Sequence, residues 1–117
     1  MRTHKDLVGW QKSITLVTTL YKLTKFFPKD EVYGLIQQLR RSAVSVPSNI
    51  AEGAARNHKA EYIQFLCIAL ESISELETQC LISKNLEYLD DTTYNFVNDS
   101  IQEIRKMLIG LIKHLKS

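Results

Sequence analysis

Tyr33-Gly34-Leu35-Ile36-Gln37-Gln38-Leu39-Arg40-Arg41-Ser42-Ala43-Val44-Ser45-Val46-Pro47-Ser48-Asn49-Ile50-Ala51-Glu52-Gly53 is the segment on which the fold turns. Together with Val32, its apolar residues recur at helical spacing: Leu35 (or Ile36), Leu39, Ala43, Val46 and Ile50. Pro47 falls inside that stripe. Proline in a helix interior costs about 3 kcal/mol and deletes the hydrogen bond to residue i−4, here Ala43. The period nevertheless runs on through Ile50 and Ala51 to Gly53. The segment therefore reads as a helix over about 30–54, kinked at Pro47 and capped by Asp30. The rival reading breaks the helix at Ser45–Val46 and starts a short one with Pro47 in its first turn.

The same period extends to both sides. Helix one is expected over about 4–26, with Leu7, Trp10, Ile14, Val17 and Tyr21 as its apolar line and Phe26-Phe27-Pro28 as its stop. Helix three is expected over about 58–86, with Asn57 as N-cap and Tyr62, Phe65, Ala69, Ile73, Leu76, Cys80 and Ser83 in step. Leu89-Asp90-Asp91-Thr92-Thr93 forms a connector rich in capping residues. Helix four follows over about 92–115, with Val97, Ile101, Ile104, Leu108, Leu111 and Leu115 in register and Gly110 as a weak point. Such helices, joined by short loops, fold back as antiparallel neighbours. The expected architecture is all-α: one domain over residues 1–117, an up-down-up-down antiparallel four-helix bundle.

Composition agrees. The chain has 117 residues, 44% apolar and 24% charged, which is one ordinary globular domain rather than a disordered chain. Four glycines and two prolines are too few for an all-β chain with its many turns. No stretch approaches the ~18 apolar residues of a membrane span, and Lys12 interrupts any signal-peptide core. These features place the protein in the cytoplasm and away from membranes. Cys67 and Cys80 stand ~20 Å apart along a helix, beyond disulfide reach, and fit no zinc spacing. Nothing points to a metal or cofactor.

Charge is unevenly spread. Residues 1–60 carry ten Lys/Arg against four acids, whereas residues 61–117 carry five against nine. Unlike halves suit internal neutralisation, head-to-tail pairing of two copies, or a nucleic acid on the basic half. Beside the apolar seam of helix two runs a second line at the same spacing: Gln38, Ser42, Ser45, Asn49, Glu52 and Arg56. Solvated faces favour Lys and Glu, the better helix formers, so small polar residues there point to a contact, with a neighbouring helix or another subunit. Arg40 and Arg41 have two readings. They pair with Glu71, Glu75 or Glu77 of helix three, within or between chains, or they contact phosphates, whose geometry guanidinium planes match.

The run from Tyr33 to Gly53 resembles the signature of the 23S rRNA intervening-sequence proteins, a four-helix-bundle family. Trp10-Gln11-Lys12, Phe27-Pro28, Phe65-Leu66 with Ile68-Ala69, and Glu75-Leu76-Glu77-Thr78-Gln79 match further family segments. The likeness spans roughly residues 7–90, and helix four matches in pattern alone. Ser42 and Val46 stand where alanine and isoleucine are usual, Cys80 where leucine is, and His58 where the helix-three cap is commonly serine. The resemblance implies ring-shaped pentamers. It also implies kinship with the accessory proteins of diversity-generating retroelements, basic pentameric barrels that bind nucleic acid and a reverse transcriptase.

Enzyme chemistry finds no footing. Di-iron bundles need Glu-x-x-His, and none of His4, His58 or His114 has glutamate at i−3. Arg105 and His114 are too far apart for the Arg-x(4–6)-His pair of helical RNA-cleaving domains. Glycines at 9, 34, 53 and 110 form no phosphate loop, and Ser45 and Ser48 have no histidine nearby in sequence. Asn49 and Glu52 are explained by capping, pairing and packing. The expected function is non-catalytic: a homo-oligomer, pentameric on the resemblance, binding RNA or DNA through Arg40, Arg41, Arg56 and Lys59, with Lys12 and Lys22 as lesser contacts. Gln38, Ser42, Ser45, Asn49, Glu52, Glu75 and Glu77 are the expected oligomer or helix contacts. The alternative is a structural or protein-interaction module that binds no nucleic acid.

Overall fold

The structure is a computed structural model describing residues 3–117; Met1 and Arg2, one of the cations counted above, lie outside the described residues. It consists of four α-helices: α1 (Val8–Thr24), α2 (Leu35–Ala54), α3 (Lys59–Asn85) and α4 (Asp91–Lys116). Short 3₁₀ turns at His4–Asp6 and Lys29–Glu31 complete it, and the described residues form no strand. The bundle measures 44 × 24 × 22 Å.

α1 and α3 each pack against α2 and α4, with the most extensive contact between α2 and α3. Paired residues run in opposite senses at three of the four seams. On α2 and α3, Ser42 meets Glu75, Ser45 meets Ser72, and Gly53 meets Phe65. On α3 and α4, Glu77 meets Arg105 and Lys84 meets Asp91. On α1 and α4, Gly9 meets Met107 and Lys12 meets Glu103.

The core follows the expected lines in three helices. Leu39, Ala43, Val46 and Ile50 of α2, Ala69, Ile73, Leu76 and Cys80 of α3, and Val97, Ile101, Ile104 and Leu108 of α4 are all buried. Burial pushes the Cys80 thiol up to about 12. α1 differs. Its centre line is Ser13, Leu16, Leu20 and Thr24, while Ile14 and Tyr21 of the expected stripe stay half-exposed. Two of the four central residues are polar, yet neither hydroxyl is left unsatisfied. Ser13 Oγ donates to Trp10 O at 2.8 Å, and Thr24 Oγ1 donates to Leu20 O at 2.8 Å.

α2 passes Pro47 as one continuous helix, so the break at Ser45–Val46 does not occur. Pro47 is itself buried, and Asn49 Nδ2 donates to Ser45 O at 2.8 Å one turn beside it. Two expected caps are not formed. Asp30 lies in the Lys29–Glu31 turn, and α2 starts at Leu35, where Glu31 Oε1 accepts the Leu35 N–H at 3.3 Å. Val32 of the expected stripe, also outside the helix, is half-exposed. At α3 the N-cap position falls on His58 rather than Asn57, and no side chain caps it. The capping-rich connector before α4 supplies its cap: Asp90 Oδ1 accepts the Thr93 N–H at 2.7 Å, and that bond holds the Asp90 carboxyl below its ordinary pKa.

Candidate nucleic-acid interface

The expected cations do not form one patch. Arg40 and Arg41 lie in the first half of α2, and Arg56 and Lys59 lie beyond its other end, about 24 Å further along the axis. Arg56 is held by carboxylates, with Glu52 at 3.4 Å and Glu61 at 3.7 Å, and lies over the Phe65 ring at 4.9 Å. Lys12 pairs with Glu103 at 2.8 Å. Lys59 is exposed at the start of α3.

Arg40 and Arg41 instead meet two lysines that the sequence reading passed over. The end of α1, the connecting loop and the start of α2 enclose an open groove of ≈ 520 Å³. Lys25, Lys29, Arg40 and Arg41 line it beside Tyr21, Thr24, Tyr33 and Gln37, and no carboxylate is among its lining residues. Lys25 and Lys29 are distant from Arg40 in sequence and come together because α1 turns back onto α2. The signal available beforehand was the lysine pair flanking Phe26-Phe27-Pro28.

The two arginines differ in role. Arg40 Nε donates to Thr24 Oγ1 at 3.0 Å, its Nη2 donates to Tyr21 O at 3.2 Å, and its guanidinium covers the Tyr21 ring at 4.5 Å. It therefore places a cation at the C-terminal end of α1, where the helix dipole is negative. The Arg41 side chain is exposed and makes no ion pair or hydrogen bond among the described residues. Neither arginine reaches the acids of α3. Glu77 belongs to Arg105 of α4, which reaches it through two nitrogens at 3.0 and 3.1 Å. Arg105 and Gln102 hold the Glu77 carboxyl below its usual pKa. Glu75 Oε2 accepts from Ser42 Oγ at 3.5 Å.

Neither acid of the loop, Asp30 or Glu31, lines the groove, and Glu31 is engaged elsewhere. Glu31 Oε1 faces Leu35 N, and its Oε2 accepts the Tyr88 hydroxyl at 3.0 Å, which pushes the Tyr88 pKa up. Gly34 leaves room for that carboxylate: a Cβ there would lie 2.8 Å from Glu31 Oε1, so a side chain at this position would displace it. The same loop leaves two rings in solvent, Tyr33 at 91% and Phe26 at 89% exposure. Phe27 between them is buried and packs on Tyr88 with ring centroids 5.2 Å apart.

The second stripe of α2 splits. Ser42, Ser45 and Asn49 face α3: Ser45 Oγ lies 2.8 Å from Ser72 Oγ, and Asn49 Nδ2 donates to Ser45 Oγ at 2.9 Å. Gln38 and Glu52 remain exposed. Among the described residues no three His, Cys, Asp or Glu side chains gather to hold a metal ion. None of the described helices is long and apolar enough to cross a membrane.

Comparison with known proteins places this geometry. The family model described as 23S rRNA-intervening sequence protein matches residues 5–110. A crystal structure of a protein with unknown function from the S23 ribosomal protein family of Bacteroides thetaiotaomicron superposes with a TM-score of 0.85 at 30% identity. The match covers 91% of this chain and 99% of that one. No curated protein matches the sequence.

Proposed function

Since the chain belongs to the 23S rRNA-intervening sequence protein family, we propose that it is a non-enzymatic homo-oligomer that binds nucleic acid through the α1–α2 groove. The observation that carries this reading is the groove itself: four cations from three segments, with no carboxylate in the lining. Phosphate backbones are bound by such clusters, and each neutralised phosphate releases counterions. Arg41, Lys25 and Lys29 are the phosphate contacts. Arg40 belongs to the framework that sets them. Arg56 is neutralised by its own acids and drops to a minor role.

The homo-oligomer rests on surface left over by the fold. Ile14 and Tyr21 of α1 and Val44 of α2 are half-exposed on the basic half, and Ile68, Leu81 and Ile82 of α3, with Leu86 just past its end, are half-exposed on the acidic half. An apolar basic face and an apolar acidic face are complementary, and a heterologous contact between them closes into a ring when the rotation permits. The resemblance noted above implies five chains for such a ring.

Two measurements test the reading. Light scattering on the eluting protein is expected to give a mass of five chains for wild type, and a smaller species for Ile14→Glu combined with Val44→Glu. A wild-type monomer removes the oligomer. Fluorescence anisotropy with labelled RNA and DNA is expected to show affinity falling steeply with salt, with Lys29→Ala and Arg41→Ala each flattening the slope. Absence of binding to either polymer at low salt removes the nucleic-acid role and leaves a protein-interaction module.

A further inference from the structure

A groove meant only for the outside of a duplex needs charge and nothing else. This one also holds out an aromatic ring. Tyr33 lines the groove beside Arg41 and Lys29, is 91% exposed, and touches no other ring and no cation among the described residues. The other tyrosine of the lining differs, because Arg40 covers the Tyr21 ring. A tyrosine left so fully in water gains nothing for the fold. The backbone beside it is fixed by Glu31, whose carboxylate meets the Leu35 N–H, and Gly34 leaves the space for that contact.

An exposed π-face set among cations suits one kind of nucleic-acid feature. Bases in a duplex have both faces covered by their neighbours and present only edges, whereas an unpaired base offers a face to stack on. A volume of ≈ 520 Å³ falls within the range of pockets that hold a single small organic ligand. We infer that the groove takes one unpaired nucleotide of a single strand, with its base stacked on Tyr33 and the adjoining phosphates held by Arg41, Lys25 and Lys29. This inference rests on the nucleic-acid reading given above and narrows it to single strands.

The test is anisotropy titration of the full chain with oligouridylate, oligodeoxythymidylate and a mixed-sequence duplex of equal length. Wild type is expected to bind the single strands more tightly than the duplex. Tyr33→Ala is expected to weaken single-strand binding about tenfold, the order of one lost base–aromatic stack, without changing the salt slope. Duplex affinity is expected to stay unchanged in that variant, and Tyr33→Trp is expected to restore the single-strand affinity. Lys29→Ala is expected to do the reverse, weakening both kinds of polymer and lowering the slope. Circular dichroism of Tyr33→Ala at the wild-type level excludes misfolding as the cause. Equal affinity for duplex and single strand, or a Tyr33→Ala protein that binds single strands as wild type does, overturns the inference and leaves the general nucleic-acid reading standing. No binding to any of the three polymers overturns both. Uridylate against thymidylate distinguishes RNA from DNA as the preferred strand.

Discussion

At Gly53 the backbone of α2 comes against α3. A Cβ built there would lie 2.8 Å from Phe65 Cβ, 3.0 Å from Tyr62 Cδ1 and 3.2 Å from the Tyr62 carbonyl oxygen. The Tyr62 ring can turn, but Phe65 Cβ and the Tyr62 carbonyl oxygen are fixed to the α3 backbone and give way only if the helices part. Gly53→Ala is expected to destabilise the protein by about 1–3 kcal/mol, an overpacking cost. Gly110 in α4 is the opposite case, because a Cβ there meets nothing within 4 Å. Gly110→Ala is expected to stabilise by about 1 kcal/mol, the helix-interior penalty of glycine. Urea denaturation of the two variants checks both signs, and a stabilised Gly53→Ala protein would show that the α2–α3 approach is looser than described. The adjacent arginines divide in the same way. Arg40→Ala is expected to cost about 1–3 kcal/mol, since it removes charged hydrogen bonds to Thr24 and to the Tyr21 carbonyl. Arg41→Ala is expected to leave stability unchanged and to appear only in binding.

Between elements, the α3–α4 seam carries a pH dependence. Arg105 and Gln102 depress the Glu77 pKa, so the contribution of Glu77 to folding is complete above the ordinary glutamate range. It fades as pH falls through that range towards the lower folded value. Glu77→Gln is therefore expected to be less stable than wild type at neutral pH, with the gap narrowing as pH falls through and below the ordinary glutamate range. The effect is modest because the pair is partly solvated. Denaturation midpoints followed from pH 7 to about pH 3 check it, and a gap that does not change with pH would assign Glu77 a role independent of its charge. The α2–α3 seam is joined differently, by the neutral Ser45, Asn49 and Ser72 cluster. Its sequence signal was the line of small polar residues on α2, which read as a contact surface against the ordinary solvated face. The stripe splits: Ser42, Ser45 and Asn49 face α3, while Gln38 and Glu52 stay exposed.

Across the molecule, the basic half of the sequence supplies α1 and α2, and the acidic half supplies nearly all of α3 and all of α4. The groove lies on the basic side because α1 and α2 share one seam. Half-exposed apolar residues sit on both sides, and they explain why the apolar line of α1 misread the core. Ile14 and Tyr21 keep helical spacing, as core residues do, yet stay half-exposed. The oligomer proposed above is expected to bury them, so light scattering and intrinsic tyrosine quenching should change together when the protein is diluted.

Periodicity was enough to specify four helices, their order and the core of three of them, because apolar burial imposes a 3.6-residue repeat that any single chain displays. The family likeness too was carried by the run from Tyr33 to Gly53. The folded chain settled the rest. Ser13 and Thr24 occupy the centre of α1 because their hydroxyls bond to the carbonyls of their own helix, a satisfaction that polarity in a sequence does not reveal. Lys25 and Lys29 join Arg41 because a loop reverses the chain, and proximity across a turn between helices has no period to be read.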